Sequence, residues 1–170
     1  MRIGIISDTH GFLDPRVVEI FAGVDHIIHA GDIADPEILS ELASVAPVTA
    51  VSGNIDSGRL AAELPSEATG DIDGIRFVVA HKPKRLQKRL GAGKIDFGKK
   101  GTRPDLVVWG HVHAPSVAWI EGTLHLNPGT AASPYEEDDD PTIAIVESTP
   151  TGLAARLIPL DRRPAQEPSD

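Results

Sequence analysis

Cysteine is absent from the 170 residues, which excludes a disulfide framework, a thiolate metal site and thiol catalysis. Aromatic side chains make up only 4%, and they do not interleave with basic residues as single-strand nucleic-acid binders require. Trp109 and Trp119 therefore read as core residues. No apolar run approaches the roughly 20 residues that span a bilayer. The opening MRIGIISDTHG reaches Asp8 and His10 too early for a signal-peptide core and has no small-residue cleavage site. The expectation is a cytoplasmic protein without membrane contact. There is no internal repeat and no low-complexity linker.

What is present is an ordinary globular balance, 41% apolar and 24% charged, which excludes a disordered chain. The length fits one domain, assigned to residues 1–160, with 161–170 (DRRPAQEPSD) as a flexible C-terminal tail. The charge is uneven. Lys82 to Arg103 holds nine bases and one acid, a local +8, so the remainder carries −17 of the net −9. So acidic a body repels nucleic acid in general, and no stable nucleic-acid complex is expected; a polyanion would approach through the basic stretch. That stretch reads equally well as a solvated helical face.

The first half alternates strand and helix. Residues 2–7 (RIGIIS) read as a buried strand, followed by a helix over 14–22 with Asp14 as N-cap and Pro15 at its first position. A strand at 25–29 leads to a second helix, capped by Asp35 with Pro36 behind it and running to about Ser44, and 48–51 is a third strand. This order argues for a parallel sheet with right-handed crossovers. In the second half, 71–80 reads as a hairpin turning at Asp73-Gly74, 83–100 as a helix interrupted near Gly91 and Gly93, and 134–141 as a solvated loop. Residues 105–109, 116–121, 123–127, 142–147 and 152–159 read as strands. So many strands predict an α/β domain built as a mixed two-sheet β-sandwich flanked by helices.

Polar clusters follow the strands: Asp8-Thr9-His10, Gly31-Asp32, Gly53-Asn54, Ala80-His81 and Gly110-His111-Val112-His113. Ligands of α/β sheets bind at the carboxyl edge of the strands, so residues a hundred positions apart can meet there. Each fragment alone reads as a turn or a cap; in series they hold two Asp, one Asn and four His. Hard oxygens mixed with imidazoles suit Mn²⁺, Fe, Zn²⁺, Ni²⁺ or Co²⁺, and seven ligands suffice for two ions if one carboxylate bridges. His111 and His113, as alternate residues of a strand, would face the same way. His29 reads either as a partner of a ligand or as a satisfied core histidine, His26 and His125 as strand residues without chemistry, and Asp138–Asp140 as surface loop.

The ordered series D-x-H, G-D, G-N, H and G-H-x-H resembles the calcineurin-like metallophosphoesterase superfamily. Gly53-Asn54-Ile55-Asp56 and Asn127-Pro128-Gly129 resemble its compact bacterial and archaeal phosphodiesterase branch, which also contains the phosphoesterase-like subunit of retromer. The resemblance implies an αββα sandwich with two divalent transition-metal ions, Mn²⁺ first among them, at one edge. Asp8, His10 and His113 would hold one ion, Asn54, His81 and His111 the other, and Asp32 both. Asp32, Asn54 and His111 are the residues assigned to catalysis, and Asn127 with Pro128-Gly129 to support of the loops. The implied activity is phosphodiester hydrolysis by a metal-bridging hydroxide. Two alternatives are a non-catalytic interaction module of retromer-subunit type and a phosphomonoesterase or dinucleoside-polyphosphate hydrolase. The expected partner is a phosphoester, nucleotide-like in one reading, with homo-oligomerisation left open.

Two departures from the family pattern matter. Ile55 stands where many members carry a histidine that protonates the leaving group, with Asp56 one residue later as a neighbour of the site. Lys82-Pro83-Lys84 replaces the glycine and further histidine usual after the His81 ligand, which makes Lys82, Lys84 and the following Arg85 candidates, with Asn54, for contact with substrate phosphate.

Overall fold

The computed structural model describes residues 1–95, 97, 103–132 and 140–160. Most of the 134–141 loop, the 161–170 tail and the end of the basic segment lie outside the described residues.

In the amino-terminal half, β1 (Arg2–Ile6), β2 (His26–His29) and β3 (Val48–Ala50) pair in parallel, joined through α1 (Pro15–Ile20) and α2 (Pro36–Ala43). Both helices start as the sequence predicts. Asp14 accepts from Arg16 N–H and Asp35 from Glu37 N–H, with proline first in each helix. A third short helix, α3 (Gly58–Glu63), follows β3.

The chain continues as β4 (Ala68–Ile72), β5 (Ile75–Val79), α4 (Pro83–Gly91), β6 (Leu106–Val108), β7 (Ser116–Ile120), β8 (Thr123–Asn127), β9 (Thr142–Thr149) and β10 (Gly152–Pro159). One sheet has the order β10-β9-β1-β2-β3, the other β4-β5-β6-β8-β7. The parallel sheet expected from the first half is thus widened by the antiparallel β9–β10 hairpin from the far end of the chain. The hairpin begins at Ala68, three residues earlier than its apolar pattern suggests, and the basic helix ends at Gly91.

The period of two in each strand sorts side chains between layers. Ile3 and Ile5 of β1 point between the sheets, where they meet Ile28, Phe77, Val79, Leu106, Val108, Leu124 and Leu126. Ile6, on the other face, packs with Val17, Phe21, Ile38 and Leu42 under α1 and α2. Leu86 of α4 covers Val78 and Val107 on the outside of the second sheet. The result is the αββα layering predicted from sequence.

Trp119 departs from expectation. It is 55% exposed on β7, an edge strand exposed along its whole length, while Trp109 is half-buried beside the α4 cluster. His111 and His113 also differ: β6 stops at Val108, so they stand on a loop and need not share a face.

Candidate metal centre

The loops that follow β1, β2, β3, β5 and β6 meet at one rim. The first two are zipped together by backbone bonds: Asp8 N–H to Gly31 O (2.9 Å), His10 N–H to Asp32 O (3.0 Å) and Gly11 N–H to Ile33 O (2.8 Å). Asp8, His10, Asp32 and His111 all adopt positive φ, between 50° and 67°. Non-glycine residues rarely accept that conformation, and clusters of it mark functional loops. Glycine is required beside them. A Cβ on Gly53 would lie 2.0 Å from Asp32 Oδ1, and one on Gly110 2.0 Å from Ser7 Oγ and 2.6 Å from Asp8 Oδ2.

The side chains form two groups, Asp8 with His10 and His113, and Asp32 with His81 and His111; within each, the ligand atoms lie within 4.8 Å of one another. His113 Nε2 is 3.6 Å and His10 Nε2 3.8 Å from Asp8 Oδ1. Asp32 Oδ2 stands between the groups, 3.9 Å from His10 Nε2 and 3.1 Å from His81 Nε2. Asn54 Oδ1 is 3.0 Å from the same His81 atom. His81 Nδ1–H donates to Ala30 O at 2.9 Å, which directs Nε2 toward these oxygens. Asp8, Asp32 and His81 are buried, His10 and His113 half-buried, and Asn54 and His111 exposed.

Oxygens of this kind call for a cation. Asp8 Oδ2 accepts from the Ser7 hydroxyl and His111 N–H, yet Asp8 Oδ1 is buried with no hydrogen-bond partner. A buried carboxylate oxygen left so is costly unless positive charge reaches it. Burial works to lower the His81 pKa, but the Asp32 carboxylate, the Asp8 charge and the Ala30 carbonyl together raise it. Burial likewise works to raise the Asp32 pKa, but hydrogen bonds from His81 and Ile55 N–H, with the charges of His81 and His10, lower it. Asp32 and His81 thus each favour the charged form of the other. Carboxylate, carboxamide and imidazole donors fit divalent transition metals at both groups.

The supporting residues have defined contacts. Asp56 is buried; its Oδ1 accepts from Ile33 and Ala34 N–H, both at 2.8 Å, and its Oδ2 from Gly53 N–H at 2.7 Å, tying the Asp32 loop to the Asn54 loop. Gly31 N–H donates to His29 Nδ1, so His29 Nε2–H faces Thr9 Oγ1 at 3.1 Å. Burial lowers the His29 pKa to about 4. Asn127 Nδ2 donates to Val112 O and Ala114 O, holding the loop of His111 and His113. Ser7 and Thr130, which donates to Asp8 O at 2.9 Å, carry no signal in the sequence, since lone hydroxyl residues give no pattern. Beyond Asn54 and His81 a cavity of about 420 Å³ is lined by Ser52, Ser66, Lys82 and Arg85. Lys84 does not line it.

The chain belongs to the calcineurin-like phosphoesterase superfamily, whose domain model matches residues 1–150; this family uses divalent metals. A probable metallophosphoesterase of Methanocaldococcus jannaschii is 35% identical over 173 residues, covering 95% of this chain and 82% of that protein. A phosphodiesterase of the same organism is 26% identical over 145 residues, covering 76% and 83%. Among solved structures, one described as a novel archaeal phosphodiesterase superposes with a TM-score of 0.73 at 27% identity, covering 94% of this chain and all of that one. Wild-type Vps29 of Entamoeba histolytica complexed with Zn²⁺ gives 0.65 at 18% identity, covering 95% and 100%; that likeness is one of fold. Among the described residues no helix is long and apolar enough to cross a membrane.

Proposed function

We propose that this chain is a phosphodiesterase that works with two divalent transition-metal ions, Mn²⁺ first among the candidates. The observation that carries this reading is the place of Asp32 Oδ2, within 3.9 Å of an imidazole in each group. Asp8, His10 and His113 would hold one ion, Asn54, His81 and His111 the other, and Asp32 both. When bound, such a pair supplies Lewis acidity toward phosphoryl oxygens and water of lowered pKa. The chain's own contribution is order. The positive-φ loops fix the carboxylates, Ala30 O fixes the His81 ring, and Asn127 fixes the His111–His113 loop.

Neither of the two residues that follow Asn54 offers a proton to a leaving group. Ile55 is apolar and 44% exposed, and both oxygens of Asp56 are engaged with backbone N–H groups. The enzyme should therefore favour diesters with good leaving groups. The likeness to a curated archaeal phosphodiesterase and to a solved structure described as an archaeal phosphodiesterase supports a diester over a monoester.

The test is hydrolysis of bis(p-nitrophenyl) phosphate with and without Mn²⁺, by wild type and by Asp32→Ala. Metal-dependent turnover that the variant lacks supports the reading. Equal background in both would leave a non-catalytic metal-binding module. Faster hydrolysis of p-nitrophenyl phosphate than of the diester would make the chain a monoesterase.

A further inference from the structure

The cavity beside the second ligand group carries basic side chains that are not among the seven metal-ligand candidates. Asn54 and His81 form one wall; Ser52, Ser66, Lys82 and Arg85 form the rest. Lys82 is the N-cap residue of α4 and Arg85 lies three residues on, close to one turn, and both line the cavity, whereas Lys84, about 100° round the helix from Arg85, does not. Lys82 makes no ion pair with any described residue. Arg85 lies 3.8 Å from Glu67, but that carboxylate also serves Arg89 at 3.2 Å, so two guanidinium groups share one negative charge. The start of α4 adds its partial positive charge. In a chain of net charge −9, this is a place prepared for an anion. Among the described residues Phe, Tyr and Trp are all absent from its lining, so charge and hydrogen bonding are its main means of recognition.

We propose that this cavity is a subsite for a second phosphate group carried by the substrate. The inference rests on the phosphodiesterase reading: one phosphate is presented to the histidine and carboxylate cluster, and the other is held by Lys82 and Arg85 with the hydroxyls of Ser52 and Ser66. The substrate class is then a diester bearing a further phosphate, as in a phosphorylated nucleotide.

The test compares thymidine 5′-(p-nitrophenyl phosphate) with its 3′-phosphorylated counterpart, in wild type, Lys82→Ala/Arg85→Ala and Lys84→Ala. Wild type should show kcat/KM at least about tenfold higher for the phosphorylated ester, the range expected of a charge-assisted hydrogen bond. That ratio should fall to near one in the double variant and persist in Lys84→Ala. A second readout is binding of thymidine 3′,5′-bisphosphate to each protein in the presence of chelator, by calorimetry, weakened about tenfold or more in the double variant alone. A wild-type ratio near one, or a ratio and affinity untouched in a folded double variant, would overturn the subsite. If neither ester is hydrolysed but bisphosphate binding still depends on Lys82 and Arg85, the subsite stands and the phosphodiesterase reading fails.

Discussion

Asp32 Oδ2 lies 3.1 Å from His81 Nε2, although the two residues follow strands of different sheets. That contact crosses the sandwich at its open rim and brings the parallel strands of both sheets to one place. Loss of the Asp32 carboxylate should therefore disturb both groups at once. Loss of a residue that merely orients a metal ligand costs 10–100-fold, so Asp32→Asn should lower Mn²⁺-dependent diesterase activity by more than about 100-fold. The chelated variant should still fold, because the backbone bonds that join the loops remain, though it loses the ion pair with His81. Activity within about tenfold of wild type at saturating Mn²⁺ would contradict this role.

Gly110 tests the packing behind Asp8. A methyl group there meets Ser7 Oγ and Asp8 Oδ2 at distances no real contact tolerates. Gly110→Ala should cost about 1–3 kcal/mol by overpacking and weaken Mn²⁺ binding, measured by urea unfolding and by metal titration. Wild-type affinity for both ions would show that the loop relaxes without cost.

His29 predicts a pH dependence. Its folded pKa is about 4 against the ordinary 6.5. Between those values the unfolded chain binds the proton and the folded chain does not, so acid favours unfolding. In the chelated protein this contribution is complete above pH 6.5 and is lost as pH falls toward 4, amounting to about 3 kcal/mol. His81, with its raised pKa, runs the other way, its contribution fading as pH climbs past 6.5. The readout is therefore the difference between wild type and His29→Gln in urea unfolding at pH 7.5 and 4.5. A shallower pH slope in the variant is expected; parallel slopes would contradict the assignment.

Ile55 tests the missing proton donor. Ile55→His should accelerate diesters with alkyl leaving groups more than bis(p-nitrophenyl) phosphate, which needs no protonation. A gain of about tenfold or more confined to poor leaving groups is expected, at the low end of general-acid assistance. Equal effects on both substrates would place the limiting step elsewhere.

Much of this architecture is legible in the sequence because its signals are local. Asp14-Pro15 and Asp35-Pro36 start helices by capping chemistry alone, and the apolar run of β1 is a strand wherever it is placed. The metal-site candidates are legible for a similar reason: each follows a strand that the sequence already shows. What escapes is non-local or conformational. The β9–β10 hairpin reaches β1 across most of the chain, with Ile5 paired to Ala144, and no nearby residue announces that. α3 buries only Leu60 and so carries no helical period. Asp56 is legible as a neighbour of the site, but not the three backbone N–H groups that its oxygens accept. Trp119 looks like core by residue type, but its strand is the last of its sheet. The positive φ of His111 turns it toward Asp32 while His113 joins Asp8, a divergence that alternation along a strand would have forbidden.

The most direct test of a two-ion centre is anomalous diffraction from a crystal grown with Mn²⁺. Two peaks are expected, one among Asp8, His10 and His113 and one among Asn54, His81 and His111, with Asp32 touching both. A single peak after full loading, or ions bound away from these side chains, would contradict the account.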